Sequence, residues 1–225
     1  MNDVKSESFM PHTEAFAQMF TKGSERERTV LGQMHLHYED EVRKLVKDGH
    51  EPQNIAHTIN GLVDDSVAET LKTRNGRQVQ CKRGCASCCK IHVSVTLQEA
   101  VLLLIAAAQK QIEIDWTKLE RQSEHGLANW KDLQPGDRRC VFLNGKDECS
   151  LYEHRPATCR KYLVTSDPKN CNTYKYPGRN VMVLAPAVGE AVVSAMLGVL
   201  KWGSMPRMLL EARKEVTSDD AHIDA

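Results

Sequence analysis

Cys81-Lys82-Arg83-Gly84-Cys85-Ala86-Ser87-Cys88-Cys89 sets four thiols within nine residues. The other four cysteines, Cys140, Cys149, Cys159 and Cys171, follow in one later stretch, and none falls in the first eighty or last fifty residues. A core has little use for thiols packed so densely along a chain, whereas a metal or cluster requires them to converge. Thiolates are soft donors that suit zinc and iron–sulfur centres. Loops of three and two residues separate Cys81, Cys85 and Cys88, with Lys82, Arg83 and Gly84 as the first turn. Gly84 opens backbone conformations closed to other residues. Lys82, Arg83 and Lys90 are expected to lower nearby thiol pKa values and to offset the charge of a thiolate centre. Neighbouring side chains diverge, so Cys88 and Cys89 bind one centre only if the backbone bends; otherwise one serves each of two sites. Eight thiolates complete two four-cysteine sites, or one site with bystanders. All eight are candidate ligands, although Cys140 and Cys171 also suit the part of small core residues. His92 and His154 lie closest in sequence to cysteines and read as surface or packing residues.

The surrounding chain is ordinary for a soluble globular protein. Its 225 residues suffice for one sizeable core or a core with a small appendage. Hydrophobic residues make up 41% and charged residues 27%, and 30 basic side chains balance 30 acidic ones. No chain-wide field therefore draws it to nucleic acid or an anionic membrane. Residues 1–75 lean acidic. The late-cysteine region leans basic through Arg138, Arg139, Arg155, Arg160, Lys161, Lys169, Lys175 and Arg179, a pattern read as a solvated surface balancing thiolate charge. Acids early in the chain and the lack of a long apolar run exclude a secretory signal at the N-terminus. Val181 to Leu200 is the only stretch resembling a membrane span, and Gly189, Pro186 and Glu190 interrupt it. A cytoplasmic setting without membrane association is expected. There the clustered cysteines are metal ligands and not disulfides. No serine–histidine–acid or phosphate-loop signature occurs, and no interleaved basic–aromatic pattern supports nucleic-acid binding.

The expected fold is mainly α with a small β element, a helical domain wrapped around a loop-rich cysteine module. Residues 1–24 read as a flexible arm with room for one short helix. Residues 25–75 read as an antiparallel helical pair, opened by Ser24 and divided by Gly49 and Pro52. Residues 76–180 form the cysteine module with inserted helices. Within it, Ile91–Val95 alternates like a strand and Thr96 with Glu99 makes a capping box. An apolar helix follows to about Ala108, and a second helix is expected over Asp115 to Trp130. Residues 181–216 read as a strand at Asn180–Leu184, paired with 91–95, followed by helices over 187–202 and 205–215. Residues 217–225 read as a disordered tail.

The Cys81-x3-Cys85-x2-Cys88 spacing is also that with which radical S-adenosylmethionine enzymes hold a 4Fe–4S cluster. Helices before the motif, few strands after it, and Ser87 at a position commonly aromatic in those enzymes argue against that fold. The chain more closely resembles the YkgJ-like cysteine-cluster proteins, a bacterial group described as zinc- or iron-chelating. The resemblance rests on Cys85-Ala-Ser-Cys88-Cys89, preceded by Cys81 and followed by Val93-Ser-Val-Thr-x-x-Glu99. It continues in Cys140-Val-Phe-Leu143 and in Cys149-Ser-Leu-Tyr152-Glu-His-Arg155-Pro156-Ala-Thr-Cys159-Arg160-Lys-Tyr162. It implies a cysteine-ligated zinc or iron–sulfur centre, with iron–sulfur favoured. Flagellin lysine methylases carry a similar module, which implies an S-adenosylmethionine-dependent protein-modifying enzyme as one alternative. A structural zinc module that binds a partner protein is the other. Arg155 and Arg160 are candidate cofactor-contacting residues, able to donate hydrogen bonds to cluster sulfurs or to a substrate anion; the competing expectation pairs them with Glu99 or Glu153. No catalytic residue is assigned from the sequence.

Overall fold

The computed structural model describes residues 13–220 of the chain. Helix α1 (Glu14–Lys22) occupies most of the described part of the N-terminal arm, and its Phe16 is fully buried. The remainder of the arm, residues 1–12, lies outside the described residues. Helix α2 (Glu25–Lys47) starts where Ser24 and Glu27 cap each other. The Ser24 N–H donates to the Glu27 carboxylate at 2.7 Å, and the Glu27 N–H donates back to Ser24 Oγ at 3.4 Å. Gly49 adopts φ 73° just past its end, a left-handed conformation that costs glycine little. Helix α3 (Pro52–Lys72) opens with Pro52 in its first turn, where the missing N–H would have no helical partner.

Strand β1 (Ser94–Thr96) leads into α4 (Leu97–Gln109) through the Thr96–Glu99 capping box. Helix α5 (Trp116–Ser123) is shorter than its sequence pattern suggests. The Gly126 N–H donates to the Asn129 side chain at 2.7 Å, turning the chain, and Trp130 is buried with its indole N–H on the Lys90 carbonyl at 3.2 Å. Trp130 thus serves the cysteine region and not a helix face. The irregular segment that follows contains the short helix α6 (Ala157–Arg160) and strand β2 (Leu163–Val164). Strand β3 (Val183–Leu184), helix α7 (Ala187–Val199), strand β4 (Trp202–Ser204) and helix α8 (Met205–Asp220) complete the described chain. Residues 217–220, read as part of a disordered tail, belong to α8, and 221–225 lie outside the described residues.

The strand pairing differs from expectation. β1 pairs antiparallel with β4, Ser94 opposite Ser204 and Thr96 opposite Trp202, whereas β3 pairs with β2. The cause is the extended link between α7 and α8. The Leu97 N–H donates to Lys201 C=O and the Met205 N–H to Val93 C=O, both at 2.9 Å, so this link occupies the edge of β1. The two long N-terminal helices are not chiefly partners of each other either. α2 and α3 both lie against α7, and Val42, Ile55, Ile59, Val63, Val192 and Met196 form their shared core. A near-continuous apolar α7 explains this, because a helix buried all round must be covered on more than one side. A second core joins α4, α5 and α8 through Leu103, Leu119, Met208 and Leu209, and takes in Phe142 and Leu151 from the cysteine region. Among the described residues no helix is long and apolar enough to cross a membrane.

Candidate metal centre

The first four cysteines sit on a chain that turns twice. Cys81 continues an extended segment beside β2: the Gln80 N–H donates to Val164 C=O at 2.8 Å, the Val164 N–H donates to Cys81 Sγ at 3.2 Å, and the Cys81 thiol approaches the Tyr162 carbonyl at 3.6 Å. Gly84 then adopts φ 85°, reversing the chain so that the Cys85 N–H reaches the Lys82 carbonyl at 3.0 Å. Ser87–Lys90 forms a single 3-10 turn bearing Cys88 and Cys89.

The later cysteines are brought to this turn by separate ties. The Cys140 N–H donates to Cys89 C=O at 2.8 Å. Cys149 bridges to Leu143 in a tight reversal. Cys159 lies on α6, and Glu99 fixes that helix. The Glu99 carboxylate accepts from Thr96 N–H at 2.8 Å and Thr96 Oγ1 at 3.0 Å, and its other oxygen accepts from Ala157 N–H at 2.7 Å. One buried acid therefore caps α4 and anchors α6. Cys171 ends a 3-10 turn, Pro168–Cys171, that packs against Ser87–Lys90, and is itself buried.

Cys85, Cys88, Cys89, Cys140, Cys149 and Cys159 line one cavity of about 220 Å³, together with Arg155, Tyr152, His92 and Trp130. Cys81 and Cys171 stand outside its lining. Among the described residues, no three cysteine, histidine, aspartate or glutamate side chains converge closely enough to hold a single ion. The thiols instead ring a space.

Their acidities follow from where they stand. Burial pushes Cys140 and Cys171 up to about 12, and lifts Cys159 well above the ordinary thiol range. Cys81 and Cys149 are raised for the same reason. Cys88 goes the other way, down to about 7, because the Cys89 thiol donates a hydrogen bond to it; Cys89, as donor and buried, is raised. A cation entering the cavity must displace protons from most of these groups.

The two arginines part company. Arg155 lines the cavity, its guanidinium 3.8 Å from the Tyr152 ring centroid and its Nε–H on the Tyr152 carbonyl at 3.1 Å, and its charge is felt at Cys81, Cys88, Cys149 and Cys159. Arg160 is spent elsewhere, donating to the Asp64 carboxylate on α3 and to the carbonyls of Glu153 and Arg155. Glu153 itself pairs with Arg83 at 2.9 Å, and Glu99 is committed to α4 and α6. His154 faces His57, ring centroids 6.1 Å apart, away from the cavity lining, while His92 lines it and meets the Trp130 ring edge-on at 5.5 Å. Sequence reasoning read His92 as a surface or packing residue and gave Trp130 and Tyr152 no part in the site. Only the spacing of His92 three residues beyond Cys89 pointed to it. Beside the cavity, Lys90, Arg138, Arg139 and Lys175 line a separate basic concavity, with Arg138 stacked on Tyr174 at 4.6 Å.

The donor set fits a thiolate-bound centre: soft sulfur ligands from three chain segments, an apolar wall, and a guanidinium to offset negative charge. No curated protein and no solved structure matches the chain. One family does, that described as "CxxCxxCC: Putative zinc- or iron-chelating domain", over residues 80–180. The match takes in all eight cysteines and leaves α1–α3, α7 and α8 outside it. Over residues 80–180 the chain is thus similar to that family, and the similarity spans the whole cysteine region.

Proposed function

We propose that the cysteine cavity holds an iron–sulfur centre that serves a redox, sensing or enzymatic step. The observation that carries this reading is that six thiols from three separate segments surround one cavity without converging on a point. A lone zinc ion needs sulfurs about 2.3 Å from itself, whereas a multinuclear centre keeps its ligands further apart because iron and sulfide lie between them. The lining cysteines also keep partial exposure, which suits electron exchange better than a closed structural site. Bound there, the centre would supply one-electron chemistry. The chain's own part is to hold it through thiolates, to offset its charge with Arg155 and to border it with the rings of Tyr152, His92 and Trp130.

Anaerobic purification followed by iron, zinc and sulfide analysis and a visible spectrum tests this reading. Equal iron and sulfide with a broad visible absorption is expected. A folded protein that carries no metal and ignores chelators overturns it.

One observation favours a second reading, a structural zinc module for a protein partner: Phe142 and Leu151 tie the cysteine loops into the α4–α5–α8 core, so a metal there would also brace the helices. Stoichiometric zinc with no visible absorption would select it. An S-adenosylmethionine-dependent modifying activity requires that the reconstituted protein bind that cofactor, and equilibrium binding decides it.

A further inference from the structure

We propose that the basic concavity beside the cysteine cavity is a binding site for a small, multiply charged anion, one carrying phosphate or several carboxylates. Its wall gathers Lys90, Arg138, Arg139 and Lys175 around a space of about 440 Å³, and no acidic side chain lines it. That volume falls within the roughly 300–1,000 Å³ of small-molecule sites. The four cations come from three separate stretches of chain. Lys90 follows the first cysteine group, Arg138 and Arg139 precede Cys140, and Lys175 follows Cys171. Only the fold assembles them. A concavity walled by one sign of charge focuses the field and raises the local concentration of the opposite ion.

The partners of these cations leave positive charge unbalanced. Asp147 accepts from Arg139 and lies 4.0 Å from Lys90, so one carboxylate serves two cations. Arg138 and Lys175 form no ion pair among the described residues. Arg138 instead stacks on Tyr174, its guanidinium carbon 4.6 Å from the ring centroid, and its buried Nε has no hydrogen-bond partner. Stacking fixes the plane of the guanidinium, and a fixed fork of N–H donors matches the paired oxygens of phosphate or carboxylate. Charge balance at the cysteines does not account for this group. Of the four cations Arg138 alone lines the cysteine cavity, where Arg155 also stands; Lys90, Arg139 and Lys175 do not border it. Because Arg138 belongs to both walls, an anion in the concavity lies one side chain from whatever the thiols hold. The site goes beyond the metal-binding reading and does not depend on which metal that is.

Titration calorimetry of the protein as purified, with inorganic phosphate and separately with succinate, tests the site. Neither probe is a strong chelator, so metal at the thiols is left in place. Saturable one-to-one binding of at least one probe is expected, and which one binds tells a phosphate ligand from a polycarboxylate. Arg138→Gln should weaken that binding about tenfold or more, the worth of a hydrogen bond to a charged group. Lys175 is exposed, so Lys175→Gln should fold normally, weaken binding severalfold and keep wild-type metal content. Arg83→Ala removes a cation outside the concavity and should leave binding unchanged. No saturable binding of either probe overturns the proposal. So does equal weakening by Arg83→Ala, which would mean that bulk charge alone attracts the anion, and so does affinity for a long polyanion such as an oligonucleotide without affinity for either probe. A metal-free protein that still binds phosphate or succinate overturns the metal-binding reading and supports this one, so the two failures are distinct.

Discussion

The two hydrophobic cores of this protein are built on different terms. The core between α2, α3 and α7 is made of long regular helices meeting through aliphatic side chains, with Ile59, Val63 and Met196 fully buried. The core between α4, α5 and α8 borrows part of its wall from loops: Phe142 and Leu151 are buried in it, and Cys140 and Cys149 pack against it. Those loops have few regular hydrogen bonds of their own. Their positions depend on single ties such as Cys140 to Cys89 and Ala157 to Glu99. One half is thus held by area removed from water, and the other by a handful of directional contacts plus whatever its thiols bind. Apolar burial is non-directional and tolerant. A ligand cage is neither.

Metal removal should separate the halves most sharply. Structural zinc binding in small domains is worth about 10 kcal/mol or more, so stripping the centre should expose amides over 140–171 to hydrogen exchange while those of α7 stay protected. Reloading should release protons at pH 7, because Cys140 and Cys171 have been pushed up to about 12 and are protonated there. Apparent metal affinity should accordingly rise with pH. Equal protection loss in α7 would mean that the halves do not differ as argued.

A buried polar tie between the halves comes next. Lys161 donates to the Glu190 carboxylate of α7 at 2.6 Å with both side chains largely buried, and Thr13 Oγ1 donates to the other oxygen at 3.3 Å. Lys161→Met should cost about 3–5 kcal/mol in urea unfolding by leaving Glu190 buried and uncompensated. Adding Glu190→Leu should recover most of that loss. A single variant as stable as wild type would show that the tie is not needed.

Within the regular core, Met196→Ala should destabilise by about 2–5 kcal/mol through lost burial and a cavity. Metal content per folded chain should not change, and a parallel loss of metal would show that the cores are coupled. The smallest effect belongs to the module's surface. Arg83 and Glu153 pair at 2.9 Å, but their side chains are 74% and 63% exposed, so Arg83→Ala should shift stability by less than about 1 kcal/mol. A larger loss would mean that surface pairing, and not the thiols, holds the loops.

Local signals carried through to the structure because they are local. Ser24 with Glu27 and Thr96 with Glu99 announce helix starts from side chains three residues apart, and both capping boxes are present. Gly49 and Pro52 mark the break between α2 and α3 for the same reason. Partner choice was not legible. The alternating 91–95 segment shows that a strand forms there but not which distant strand it meets, and β4 took the edge assigned to 180–184. Trp130 reads as a helical residue by spacing, yet the carbonyl of Lys90 captures it.

By itself, the sequence determined that thiols would gather, in which two stretches they lie, and that helices would surround them, because ligand type, spacing and capping are properties of adjacent residues. Only the tertiary structure decided the rest. It set Arg155 into the cavity and gave Arg160 to Asp64, brought His92 to the cavity wall, and left Cys81 and Cys171 outside its lining. Such choices depend on which surfaces remain after α7 and α8 have buried theirs, and no spacing along the chain encodes that.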